Sequence, residues 1–153
     1  MEPYTKVICP DCGHQSRVKC ELGRYELIGR HAEGGMSKLF IARDTTLDRE
    51  VAIKILNAEY CRDEQRMQQF EYEALITAAI SHPHVVRVFT VGKAFNRFYI
   101  AMELVSGESL EQRMAREGAI GESQILPACQ EIISGLQAAR DAGLIHRDIK
   151  PGN

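Results

Sequence analysis

The period of the apolar residues changes at Leu104, and that change constrains the fold more than any other feature of the chain. Before it lie five short runs with β preference, 25–30, 39–42, 50–56, 85–91 and 98–104, most of them separated by polar or glycine-bearing turns. After it the apolar residues recur at helical spacing. In Val51-Ala52-Ile53-Lys54-Ile55-Leu56 a period of two puts Val51, Ile53 and Ile55 on one face and Ala52, Lys54 and Leu56 on the other. One helix interrupts the strand-rich part: over 63–80, Met67, Phe70, Ala74, Thr77 and Ala78 recur at helical spacing, and Ser81-His82-Pro83 ends it. Beyond Leu104, Ser109 followed by Gln112 has the form of a capping box opening a helix that stops near Gly118. A longer helix over 122–142 carries Ile125, Ala128, Cys129, Ile132, Leu136 and Ala139 on one stripe, with Gly143 as its C-cap. A sheet with one helix, followed by helices, is an α+β arrangement of two lobes joined by 103–108, and clefts form between lobes.

Charge narrows the function. Lys and Arg total 19 against 21 Asp and Glu, and a net charge of −2 offers no electrostatic footprint for nucleic acid or an anionic membrane surface. No apolar run approaches the ~20 residues of a membrane helix. The start MEPYTKVICP lacks the apolar core of a secretory signal, so a cytoplasmic location is expected. Residues 1–22 form a separate head with too few large apolar residues to bury a core unaided. Its Cys9-Pro10-Asp11-Cys12-Gly13 resembles one knuckle of a zinc ribbon, with Cys20 and His14 as candidate third and fourth ligands. The chain has five cysteines, three of them between positions 9 and 20, which favours a metal site or free thiols over a disulfide framework. A second CxxC is absent, so free cysteines are the competing reading.

Three clusters carry chemistry. Ala32-Glu33-Gly34-Gly35-Met36-Ser37 lies between two predicted strands, where small residues let backbone N–H groups approach an anion such as phosphate. Taken alone, a glycine pair there is an ordinary turn. Lys54 shares its face with apolar neighbours, and Glu73 lies beside the apolar stripe of the following helix. Charges placed where water is scarce are tolerable when paired, and a Lys held by a carboxylate can present its ammonium to phosphate oxygens. The third cluster is His146-Arg147-Asp148-Ile149-Lys150-Pro151-Gly152-Asn153. An Asp can accept the proton of an attacking hydroxyl, a Lys two residues on can steady a transferring phosphoryl group, and an Asn can give oxygen to a divalent metal.

The order of these motifs carries a resemblance. With the glycine turn, Val51-Ala52-Ile53-Lys54, a helical Glu73 followed by Ser81-His82-Pro83-His84-Val85-Val86, the run Met102-Glu103-Leu104-Val105 and the HRDIKPGN loop, residues 25–153 resemble bacterial eukaryotic-like (Hanks-type) Ser/Thr protein kinases. The resemblance implies a protein-kinase-like fold: a five-stranded antiparallel N-lobe with helix C over 25–102, a hinge over 103–108, and the first helices of a C-lobe over 109–153. It implies phosphoryl transfer from ATP, with Mg²⁺, to Ser or Thr hydroxyls of a protein substrate. Lys54 would contact the α- and β-phosphates with Glu73 holding it, Asp148 would be the catalytic base, Lys150 would contact the γ-phosphate and Asn153 would ligate Mg²⁺. Arg147 would suit control by an activation loop. Met102 would be the gatekeeper, main-chain groups of Glu103 and Val105 would read the adenine edge, and Ala52 and Leu39 would line the adenine. Core packing accounts for Leu39 equally well. In GxGxxG terms Ala32 stands at the first glycine, Gly34 keeps the second with Gly35 beside it, and Ser37 stands at the third.

The 153 residues contain no Asp-Phe-Gly metal site and no Ala-Pro-Glu segment. The expectation is therefore a truncated catalytic domain, poorly active by itself, with the stripe from Ile125 to Ala139 partly exposed and with any membrane anchor located further along the full product. The alternative is a non-catalytic nucleotide- or partner-binding kinase fragment, or a pseudokinase with a zinc-binding head.

Overall fold

The computed structural model describes residues 6–8, 10–17 and 20–152. Strands β1 (Lys6–Ile8) and β2 (Gln15–Arg17) pair with each other as a separate antiparallel hairpin. The strands β3 (Cys20–Leu22), β4 (Tyr25–Glu33), β5 (Ser37–Asp44), β6 (Arg49–Leu56), β7 (Val88–Ala94) and β8 (Arg97–Met102) form one antiparallel sheet in the order β3-β4-β5-β6-β8-β7. Six strands stand where five were expected. The addition is β3, which pairs Cys20 with Leu27 and Leu22 with Tyr25, so the end of the cysteine-bearing head belongs to the sheet and Leu22 is buried.

The alternation read in β6 decides which face makes the core. Ile53 pairs with Phe40 and Ala101, Val51 with Ala42, and Ile55 with Tyr99. Directly paired residues share a face. These side chains, with Leu22, Tyr25 and Leu27, form one buried cluster, and each large aliphatic one contributes about 1.5–3 kcal/mol by leaving water. Asp44 is a buried charge in this part. Its Oδ1 accepts from the N–H groups of Thr46 (3.1 Å) and Leu47 (3.3 Å), closing the turn before β6, and Arg24 Nη2 lies 3.4 Å from Oδ2.

Strand β7 is displaced from the predicted 85–91. Gly92 reads as a strand end, but it pairs with Tyr99, and a Cβ at Gly92 would lie 2.7 Å from the tyrosine ring. The glycine continues the strand because an aromatic ring occupies its side-chain space.

Helix α1 (Glu64–Ala79) matches the predicted 63–80, with Ala74 buried. Helix α2 (Leu110–Glu117) opens on the predicted capping box: Gln112 N–H donates to Ser109 Oγ at 3.2 Å and Ser109 N–H to Gln112 Oε1 at 2.9 Å. Helix α3 (Glu122–Asp141) ends with Gly143 N–H donating to Arg140 O and Leu144 N–H to Ala139 O, both at 2.9 Å, the double closure of a Schellman motif. On its stripe Ala139 is buried, while Cys129 and Ile132 are exposed, as is the adjacent Ile133.

The chain divides into two compact units, Met1–Ala74 with Val88–Leu104, and Leu75–Arg87 with Val105–Asn153. In the second, α3 packs on the segment after α1. A Cβ at Gly135 would lie 2.7 Å from His84 O, and Ser134 Oγ is 3.1 Å from His82 Nε2.

Candidate functional site

In the first unit, sheet register gathers residues that are far apart in sequence. Ala32 pairs with Leu39, Leu39 with Lys54 and Lys54 with Ile100; one step along, Ile41 pairs with Ala52 and Ala52 with Met102. Ala32, Leu39, Ala52, Lys54 and Met102 therefore share one face of the sheet, opposite the core cluster. The side chains at 32 and 52 on that face are small, and Ala52 is buried. Lys54 is half-buried, with Nζ 5.8 Å from the centroid of the Phe70 ring on α1, an attraction between ammonium and π-face. Glu73, one turn further along α1, is exposed, and its Oε1 accepts from Gln69 Nε2 at 3.0 Å.

The glycine turn joins β4 to β5. Gly34 N–H donates to Ser37 O at 2.9 Å. From the end of β6, Asn57 reaches the turn twice: its backbone N–H donates to Met36 O at 2.9 Å and its Nδ2 to Gly35 O at 3.0 Å. Glu33 brings a negative charge to the turn, but Lys38 (3.0 Å) and Arg30 (2.8 Å) both bind it. The Lys38 hydrogen bond, then the lysine's charge, hold the Glu33 carboxyl below the usual carboxylate range. Two cations thus offset the one carboxylate at the turn.

In the second unit, residues 146–152 form an exposed loop after α3. Lys150 Nζ pairs with Asp148 Oδ2 at 3.0 Å, and Asp148 N–H donates to His146 Nδ1 at 3.3 Å. Arg147 adopts the left-handed region with φ +63°. The loop is fastened to α2, whose Glu111 N–H donates to Pro151 O at 2.9 Å. A water-accessible carboxylate beside an ammonium can take a proton from a hydroxyl and meet a developing negative charge. Asn153 lies outside the described residues. Met102 is half-buried at the end of β8, and Glu103 and Val105 are exposed in the irregular stretch that follows.

The zinc reading of the head draws no support from the structure. Among the described residues no group of three His, Cys, Asp or Glu could hold a metal ion. Cys12 and His14 are exposed, whereas Cys20 is half-buried and packs against the core of the sheet. Cys9 lies outside the described residues.

Residues 24–153 match the family described as "Protein kinase domain". The chain belongs to the protein kinase family. Among curated protein kinases, serine/threonine-protein kinase PrkC of Bacillus subtilis is 35% identical over 131 residues, 86% of this chain and 20% of PrkC. Serine/threonine-protein kinase PknA of Mycobacterium tuberculosis is 38% identical over 136 residues, 86% of this chain and 32% of PknA. The chain thus spans a fifth to a third of these relatives. A solved PknI kinase domain of Mycobacterium tuberculosis aligns with a TM-score of 0.75 at 26% identity, covering 86% of this chain and 53% of that one.

Three features of this member of the protein kinase family escaped the sequence. The double hold of Asn57 on the turn is one; a polar residue directly after the eight residues of β6 is its trace in the chain. The Arg30–Glu33–Lys38 cluster was open to the i,i+3 spacing of Arg30 and Glu33, but Lys38 arrives through strand pairing with Glu33. The grip of α2 on Pro151 joins backbone atoms and leaves no side-chain signature.

Proposed function

We propose that the protein transfers the γ-phosphoryl group of ATP to Ser or Thr hydroxyls of a protein substrate. The observation that carries this reading is the shared sheet face on which Lys54 stands with Ala32, Leu39, Ala52 and Met102. A half-buried ammonium suits phosphate oxygens, and small and branched apolar side chains beside it suit a flat base. Lys54 binds the α- and β-phosphates, and Glu73 orients it. The turn with Gly34, Gly35 and Ser37 presents N–H groups to the phosphates, and main-chain groups of Glu103 and Val105 read the adenine edge. Asp148 takes the proton of the attacking hydroxyl, and Lys150 steadies the γ-phosphate.

Carboxylate and amide oxygens are the donors Mg²⁺ prefers, so the chemistry of the 146–153 loop fits the metal, with Asn153 as its ligand. When bound, the ion neutralises phosphate charge. On this reading residues 25–102, 103–108 and 109–153 are N-lobe, hinge and the first part of the C-lobe, and the protein works in the cytoplasm. Among the described residues no helix is long and apolar enough to cross a membrane.

The test is titration of the 153-residue polypeptide with a fluorescent ATP analogue, displaced by ATP. Lys54→Met should weaken binding about tenfold, the value of one charge-assisted contact, and Asp148→Asn should leave it within about twofold. Turnover on a Ser/Thr peptide should be slow, because the polypeptide contains no Asp-Phe-Gly, and should vanish in Asp148→Asn. Failure of ATP to displace the analogue, or turnover that survives Asp148→Asn, overturns the proposal.

A further inference from the structure

The glycine turn is held from one side by Asn57. Its backbone N–H and its side-chain Nδ2 donate to two successive carbonyls, Met36 O and Gly35 O. Peptide units are planar and trans, so each N–H points opposite to the C=O of its own unit. With the carbonyls of Gly35 and Met36 aimed at Asn57, the N–H groups of Met36 and Ser37 are aimed away from it. Asn57 is itself anchored, because its carbonyl accepts from Tyr60 N–H (3.1 Å) and Cys61 N–H (3.2 Å) in the short 3-10 turn Tyr60–Arg62.

Packing does not ask for an amide here. Asn57 Oδ1 is buried and has no hydrogen-bond partner, an arrangement that by itself weakens a fold. Turning the amide over would set Oδ1 against Gly35 O, acceptor against acceptor. The side chain is kept for its donor, and the donor serves the turn.

We propose that Asn57 is a positioning residue for nucleotide phosphates: it fixes the direction in which the glycine turn presents its N–H groups. This rests on the reading of the turn as a phosphate cradle given above. It predicts an effect confined to the phosphate end of the ligand, which a general loss of stability would not produce.

The experiment compares ATP and adenosine affinities of the 153-residue polypeptide with those of Asn57→Asp and Asn57→Ala. Asp keeps the shape and removes the donor; Ala separates that loss from the added charge. Both should raise the Kd for ATP about three- to tenfold, the range for one lost hydrogen bond, and leave the Kd for adenosine within about twofold. Hydrogen exchange of the amides between Gly34 and Lys38 should quicken in both variants without nucleotide. An unchanged ratio of ATP to adenosine affinity, whether neither ligand or both are weakened, overturns this assignment alone. No ATP binding by the unaltered polypeptide overturns the proposed function and this assignment with it.

Discussion

Tyr99 is buried on β8, edge-on to Tyr25 with ring centroids 5.9 Å apart, and its ring fills the space beside Gly92. Burial first, and then the neighbouring Tyr25, push its phenol above the ordinary value of 10.0, against a smaller lowering by Arg24. In the unfolded chain the phenol ionises near pH ~10, while the folded chain keeps the proton to higher pH. The contribution is present below the unfolded value and is lost as pH rises through the folded one. Thermal melts between about pH 9 and 11 should show stability falling, and Tyr99→Phe should make the fall shallower; an identical slope in the variant would refute the role of Tyr99. The same ring explains why a single residue misled the strand reading. Glycine usually punctuates a strand, and nothing local to Gly92 announces a ring from a residue seven positions away.

At the level of elements, the hairpin joining β7 to β8 turns on Phe95 and Asn96, with φ of +49° and +58°. Positive φ at both central positions is the geometry of a type I′ turn, which suits Asn and Gly and strains a bulky aromatic residue. Phe95 is 82% exposed, so its ring offers the fold little in return. Phe95→Asn should therefore stabilise the protein by about 0.5–1 kcal/mol, read as a higher midpoint in urea; a lower midpoint would show that the ring makes a contribution its exposure conceals. Helices were the most readable elements. The stripe of α1 and the Ser109–Gln112 box of α2 are contained within a few turns of one segment, so composition and spacing disclose them. Strand β3 was not readable, because three residues of mixed character become a strand only when Cys20 and Leu22 meet Leu27 and Tyr25.

Across the molecule, each unit contains a close approach at a glycine that side-chain volume would spoil. In the second unit the approach is backbone to backbone, Gly135 on α3 against His84 O. Gly135→Ala would place a methyl 2.7 Å from that oxygen. The neighbour is main chain and cannot swing aside, so a loss of about 1–3 kcal/mol is expected, measured by chemical denaturation followed by far-UV circular dichroism. A neutral outcome would mean that α3 shifts freely over the 82–84 segment.

The family and the fold class could be read from the chain, because motif order and period are properties of neighbouring residues, and the same motifs point to Lys54, Asp148 and Lys150 as candidates. The face that Lys54 shares with Ala32, Leu39 and Met102, and the hold of Asn57 on a turn 22 residues before it, arise from register between strands. Register is settled by burial of the opposite face of the sheet, a balance over the whole core that no local pattern contains.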